Sequence, residues 1–115
     1  MNVQEAYAVF GGDYQGVLSR LSSESMVSRF AVKFLADDSF DNLKQALGEG
    51  DLQTAFRAAH TLKGVCQNLG FDNVFTPASE LTEVLRAGSL DGSAQLFAEV
   101  EKEYDRTVSA LKEID

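Results

Sequence analysis

The stretch Leu52–Leu69, LQTAFRAAHTLKGVCQNL, carries its apolar residues at helical rather than alternating spacing, and this spacing decides the fold class. Asp51 stands where it can accept the free N–H groups of a first turn, and Gly70 where glycine commonly closes a helix. At about 100° per residue, Ala55, Ala58, Ala59, Leu62, Cys66 and Leu69 fall in one arc between roughly 160° and 260° from His60, the arc that faces a core. Phe56, Arg57, Lys63, Gly64 and Gln67 lie within about 60° of His60 on the opposite side. His60, the only histidine, therefore points away from the interior. Gly64 follows it by one turn on the same face, although glycine inside a helix costs about 1 kcal/mol relative to alanine. A helix that leaves its backbone bare beside its one imidazole makes room for something large.

That placement narrows the chemistry. A hydrogen-bonded core histidine, the usual role of a lone His on an apolar face, does not fit an outward ring. Cys66 lies about 240° around the wheel, so a Cys–His nucleophile pair within the helix is excluded; the thiol reads as a small packing residue. Metal ligation calls for His or carboxylate at i±3 or i±4, and those positions hold Phe56, Arg57, Lys63 and Gly64. What remains is a solvated imidazole, nucleophilic when neutral, with a cation one turn to either side in an acidic chain. Such cations suit a group that carries negative charge part of the time. Phosphoryl transfer relies on this kind of positioning and charge neutralisation. An ordinary exposed histidine with solvated neighbours is the bland alternative, and the paired Lys63 and costly Gly64 weigh against it.

Outward from this helix the same periodicity recurs. Val3, Ala6, Tyr7 and Phe10 form a short helix that stops at Gly11-Gly12; Tyr14, Val17, Leu18 and Leu21 form another, capped by Asp13. Val27, Phe30, Ala31, Phe34 and Leu35 give a third stripe behind Ser23 or Ser25. Phe40, Leu43, Ala46 and Leu47 give a fourth that ends at Gly48. Beyond Gly70, Val74, Ala78, Leu81, Val84 and Leu85 run toward Gly88, with Pro77 either kinking that helix or marking its first turn behind Thr76. A last helix extends from about Asp91 to Ile114 through Leu96, Phe97, Val100, Tyr104, Val108 and Leu111. No period-2 run bounded by turn residues is present. The expected fold is all-α: an antiparallel up-down four-helix bundle over about residues 24–114, with one or two short N-terminal helices over about residues 2–21 packed across it, the chain 1–115 forming one domain.

With 44% hydrophobic residues and eight phenylalanines, the 115-residue chain can bury a core of its own. Its net charge of −8 argues against nucleic acid and anionic membrane surfaces as partners. The single cysteine allows no internal disulfide and suits a reducing compartment. Met1–Glu5 lacks the basic and apolar segments of a secretory signal, and no apolar run approaches the roughly 20 residues that cross a bilayer. A soluble, cytoplasmic, monomeric chain is expected.

His60-Thr61-Leu62-Lys63-Gly64, followed after five residues by Gly70, resembles the His-x-Leu-Lys-Gly-x5-Gly pattern of histidine phosphotransfer (HPt) domains of two-component phosphorelays. Ala58-Ala59 before the histidine and Asn68-Leu69-Gly70-Phe71 after it are also typical. The resemblance implies that His60 takes a phosphoryl group on Nε2 from the aspartyl phosphate of a receiver domain, in a response regulator or a hybrid histidine kinase, and passes it to another. It implies that Lys63 helps neutralise the phosphoryl group, that Gly64 leaves room for it and for the incoming receiver, and that Gln67 donates a hydrogen bond or holds the ring. Phe56 and Arg57 are not part of the motif; their nearness to His60 on the wheel makes them candidate docking contacts, whereas for Phe34, Phe40 and Phe71, also considered as anchors, the core is the stronger reading. The chain would then be a phosphoryl carrier rather than an enzyme. Gly11-Gly12 and Gly48-Glu49-Gly50 lack the lysine and spacing of a phosphate-binding loop. No carboxylate cluster flanks His60, so no cofactor of its own is expected and the receiver would supply Mg²⁺.

Other classes fit these residues less well. A non-catalytic helical adaptor would dock a signalling partner through the same His60 face, but would not need both His60 and Lys63. A receiver domain would alternate strands and helices around Asp37-Asp38. A kinase dimerisation domain usually has an acidic residue directly after its histidine, where Thr61 stands here.

Overall fold

Seven α-helices and no strand build the chain in the computed structural model, which describes Met1–Asp115. α1 (Val3–Phe10), α2 (Tyr14–Leu21) and α3 (Glu24–Lys33) are short, and a 3₁₀ turn at Phe34–Ala36 ends α3. α4 (Ser39–Glu49), α5 (Leu52–Leu69), α6 (Asp72–Arg86) and α7 (Ser93–Leu111) follow as an up-down bundle in which each helix packs on the next. The all-α bundle read from the sequence is the observed fold. α3, however, packs chiefly with α1 and α2, so the bundle proper begins at Ser39 rather than near residue 24, and three short helices precede it.

Four of the seven α-helices, α1, α2, α3 and α5, start where a short polar side chain satisfies a free N–H group. Asn2 and Glu5 close a capping box on α1. Asp13 accepts from the Gly16 N–H, Ser23 (the first of the two serine candidates) from the Met26 N–H, and Asp51 from the Thr54 N–H at 3.1 Å. α4 does not stop at Gly48. It runs on to Glu49 because Gly50 takes the left-handed conformation (φ 71°), which lets the Asp51 N–H reach back to Ala46 O at 2.9 Å. A two-residue link thus turns the chain directly from α4 into α5. Pro77 sits inside α6, which already begins at Asp72; tertiary packing carries that helix through a residue that local propensity would place at its start. α7 begins at Ser93, whose hydroxyl donates to Leu90 O at 2.7 Å, rather than at Asp91, and it ends at Leu111 rather than Ile114.

Aromatic residues tie these layers together. Phe71, at the start of α6, meets the rings of Tyr7, Phe10 and Phe34 with centroids at 5.6, 5.2 and 5.1 Å, joining α1 and the 3₁₀ turn to the bundle. α4 and α7 are bridged by long side chains: Phe40 stacks on Tyr104 at 3.9 Å and on Phe97 at 5.5 Å, and Lys44 pairs with Glu101 at 2.9 Å. Phe34, Phe40 and Phe71 are all buried by these contacts, which removes them as docking anchors. No helix is long and apolar enough to cross a membrane.

Candidate functional site

The buried residues of α5 are Ala55, Ala58, Ala59, Leu62 and Cys66, so the core-facing arc matches the helical wheel in all but Leu69, which is half-buried. His60 stands exposed on the other side of the helix. No hydrogen bond or ion pair joins its imidazole to another residue, so the ring edge is free to meet a ligand or partner. Gly64 is half-buried, and a Cβ added there would meet nothing within 4 Å. The glycine is therefore not required by packing. It keeps open the surface one turn beyond the histidine, as its cost in helix stability implied.

The other side chains singled out by sequence lie on this face. Lys63 is half-buried and Arg57 exposed, and neither forms an ion pair. Three other cations are engaged with carboxylates: Lys44 with Glu101, Arg86 with Glu83 and Arg106 with Glu103. In a chain of net charge −8, two uncommitted cations one turn to either side of His60 leave positive charge available at the site. Phe56 is half-buried, with its ring centroid 6.0 Å from that of His60, and forms one wall beside the imidazole. Gln67 is exposed two turns along the helix, and its amide makes no hydrogen bond to His60, so it does not hold the ring in this state.

One neighbour was not legible in the sequence. Arg86, from the end of α6, lies over the Phe56 ring with its guanidinium carbon 5.0 Å from the centroid while pairing with Glu83 at 3.2 Å. It belongs to another helix and shares no local spacing with His60; only the α5–α6 packing brings it there. Cys66, by contrast, is wholly buried, and burial pushes its thiol far above the ordinary range. It packs and is not a nucleophile. No three His, Cys, Asp or Glu side chains converge to form a metal site.

An exposed imidazole in mid-helix, an open glycine one turn later and flanking free cations form a face that can receive and release a small anionic group brought by a partner. The sequence family described as the Hpt domain matches residues 34–110, about two thirds of the chain and the whole of α4, α5 and α6. No curated protein and no solved structure matches significantly. The chain therefore belongs to the Hpt domain family, the helical phosphocarrier modules of two-component phosphorelays.

Proposed function

We propose that His60 is the phosphoacceptor, relaying a phosphoryl group between aspartates of receiver domains. The exposed imidazole beside the open Cβ position of Gly64 is the observation that carries this reading. In the forward step the Nε2 lone pair of the neutral ring attacks the phosphorus of a receiver aspartyl phosphate. The N–P bond forms as the bond from phosphorus to the carboxylate oxygen breaks, and the aspartate leaves as a carboxylate with the electron pair; the proton on Nδ1 stays in place. Transfer onward is the reverse of this step with a second receiver. The receiver would contribute its aspartate and a Mg²⁺ ion, and this chain the nucleophile, charge compensation and a docking face.

Within that face, Lys63 would offset charge on the transferred group and Arg57 would oppose an acidic partner surface. Phe56 would supply apolar contact beside the ring, Gly64 clearance, and Gln67 a polar contact farther along α5. Phosphorylation adds between about one and a half and two negative charges to this face.

The test is transfer of labelled phosphate from a phosphorylated receiver. The label should appear on this chain with acid-labile, base-stable chemistry, and His60→Gln should abolish it. Equal labelling of the Gln variant would place the acceptor elsewhere. Lys63→Ala should slow transfer by about ten- to a hundredfold, a smaller loss than removal of His60, because it withdraws charge stabilisation but leaves the nucleophile in place.

A further inference from the structure

The last carbonyls of any α-helix lack N–H partners from their own helix. At the end of α5 the glycine turn meets two of them: Cys66 O accepts from the Phe71 N–H at 2.9 Å and Gln67 O from the Gly70 N–H at 3.3 Å. The remaining carbonyls, with that of Gly70 just beyond, are met from α1, α2 and the link between them. Arg20 Nη2 donates to Asn68 O at 2.8 Å, with a longer approach of 3.5 Å to Gln67 O; the Tyr7 hydroxyl donates to Leu69 O at 2.6 Å; and the Asp13 N–H donates to Gly70 O at 2.8 Å. The fit is tight. A Cβ at Gly70 would collide with a Val17 methyl and lie 2.8 Å from Asp13 O.

Arg20 is exposed in a chain with 18 Asp and Glu residues, yet its only hydrogen bonds go to these carbonyls. Its charge sits against the negative end of the α5 dipole. Tyr7 is buried, and that burial pushes its phenol far above the ordinary range, so its hydroxyl remains a donor at physiological pH. Tyr7, Asp13 and Arg20 all precede residue 34, where the family match begins.

We propose that Arg20 and Tyr7 are positioning residues for receiver docking: by holding the C-terminal turns of α5, they fix the face carrying Gly64, Gln67 and Asn68 that a receiver seated over His60 must contact. The proposal rests on the phosphoacceptor reading of His60. His60 lies two and a half turns before the clamp, inside an intact hydrogen-bond ladder, and its own chemistry does not depend on the clamp. Gln67 and Asn68, both exposed, lie in the turns whose carbonyls the clamp holds. Loosening the clamp frays that rim and lowers productive encounters without altering the nucleophile.

Two phosphodonors separate these effects, a phosphorylated receiver, which must dock, and phosphoramidate, which needs no docking surface. With the receiver, Arg20→Ala should raise the apparent KM roughly fivefold and leave the maximal transfer rate within about twofold. Phosphoramidate labelling should be unchanged. Arg20→Lys, which keeps the charge and a donor, should recover most of the loss, and Tyr7→Phe should act in the same direction as Arg20→Ala. Backbone amides of Gly70 and Phe71 should exchange faster in Arg20→Ala, with those of Leu62 and Lys63 unaffected. An unchanged receiver KM in Arg20→Ala overturns the proposal. So does a parallel fall in maximal rate and phosphoramidate labelling, which would mean general damage to the helix. Wild-type protein that takes label from neither donor would instead defeat the phosphoacceptor reading itself.

Discussion

At Gly64, helix stability and access to the site oppose each other. A glycine in a helix interior is about 1 kcal/mol less favourable than alanine, and here the space a Cβ would enter is open. Gly64→Ala is therefore expected to raise the unfolding free energy by up to about 1 kcal/mol, read from the urea midpoint at unchanged m-value. Gly64→Leu should keep the fold but slow transfer from a phosphorylated receiver by about tenfold or more, since small misplacements of reacting groups carry large rate penalties. If the leucine variant transferred at the wild-type rate, clearance beside His60 would have no functional weight. Cys66 should behave in the opposite way: its buried thiol should resist thiol-reactive probes in the native state and react only on unfolding.

α5 is held from both ends and along one stripe. At its start, the Thr54 hydroxyl and backbone N–H both stabilise the Asp51 carboxylate and hold its pKa below the ordinary 3.8. Because the folded-state value lies below the unfolded one, the cap contributes stability at neutral pH and loses it as the pH falls through the folded-state value, below 3.8. Asp51→Ala should thus lower the thermal midpoint at pH 7, and the difference from wild type should narrow at strongly acidic pH, where the carboxyl still accepts the Thr54 N–H but has lost its charge. A difference of undiminished size there would mean that the charge contributes nothing to the cap. Along the stripe, Leu62 is wholly buried between the flanking helices. Leu62→Ala should cost about 2–5 kcal/mol in urea unfolding.

Over the whole molecule, the three short N-terminal helices and the bundle share one apolar interior. Phe71 is their common element, touching Tyr7 and Phe10 of α1 and Phe34 at the end of α3. Both ends of the chain also meet: Arg106 of α7 donates to Val9 O at 2.8 Å, and the Asp115 N–H to Met1 O at 3.0 Å. Phe71→Ala should therefore destabilise by about 3–5 kcal/mol. Helix content and tyrosine environment should still be lost in one coincident transition. If tyrosine signals from Tyr7 and Tyr14 melted first, the N-terminal helices would be a separate unit.

The all-α class, the outward direction of His60 and the open rim at Gly64 were legible in the residues alone. Each follows from the roughly 3.6-residue period of a single helix, which is a local property. The Asp13 and Asp51 caps were also legible there, and Ser23 as one of two candidates with Ser25, because capping is settled within three or four residues; the Asn2 capping box is seen only in the structure. Glycine endings were less certain: Gly48 and Gly50 look alike in sequence, and only the chain reversal into α5 selects the one that turns left-handed. Tertiary packing settled that α3 sides with α1 and α2, that Pro77 stays inside α6, and that Arg86 reaches Phe56. It alone showed that Tyr7, Asp13 and Arg20 close the end of the histidine helix. Those contacts join residues tens of positions apart, and they are fixed by which surfaces pack together, which no local period encodes.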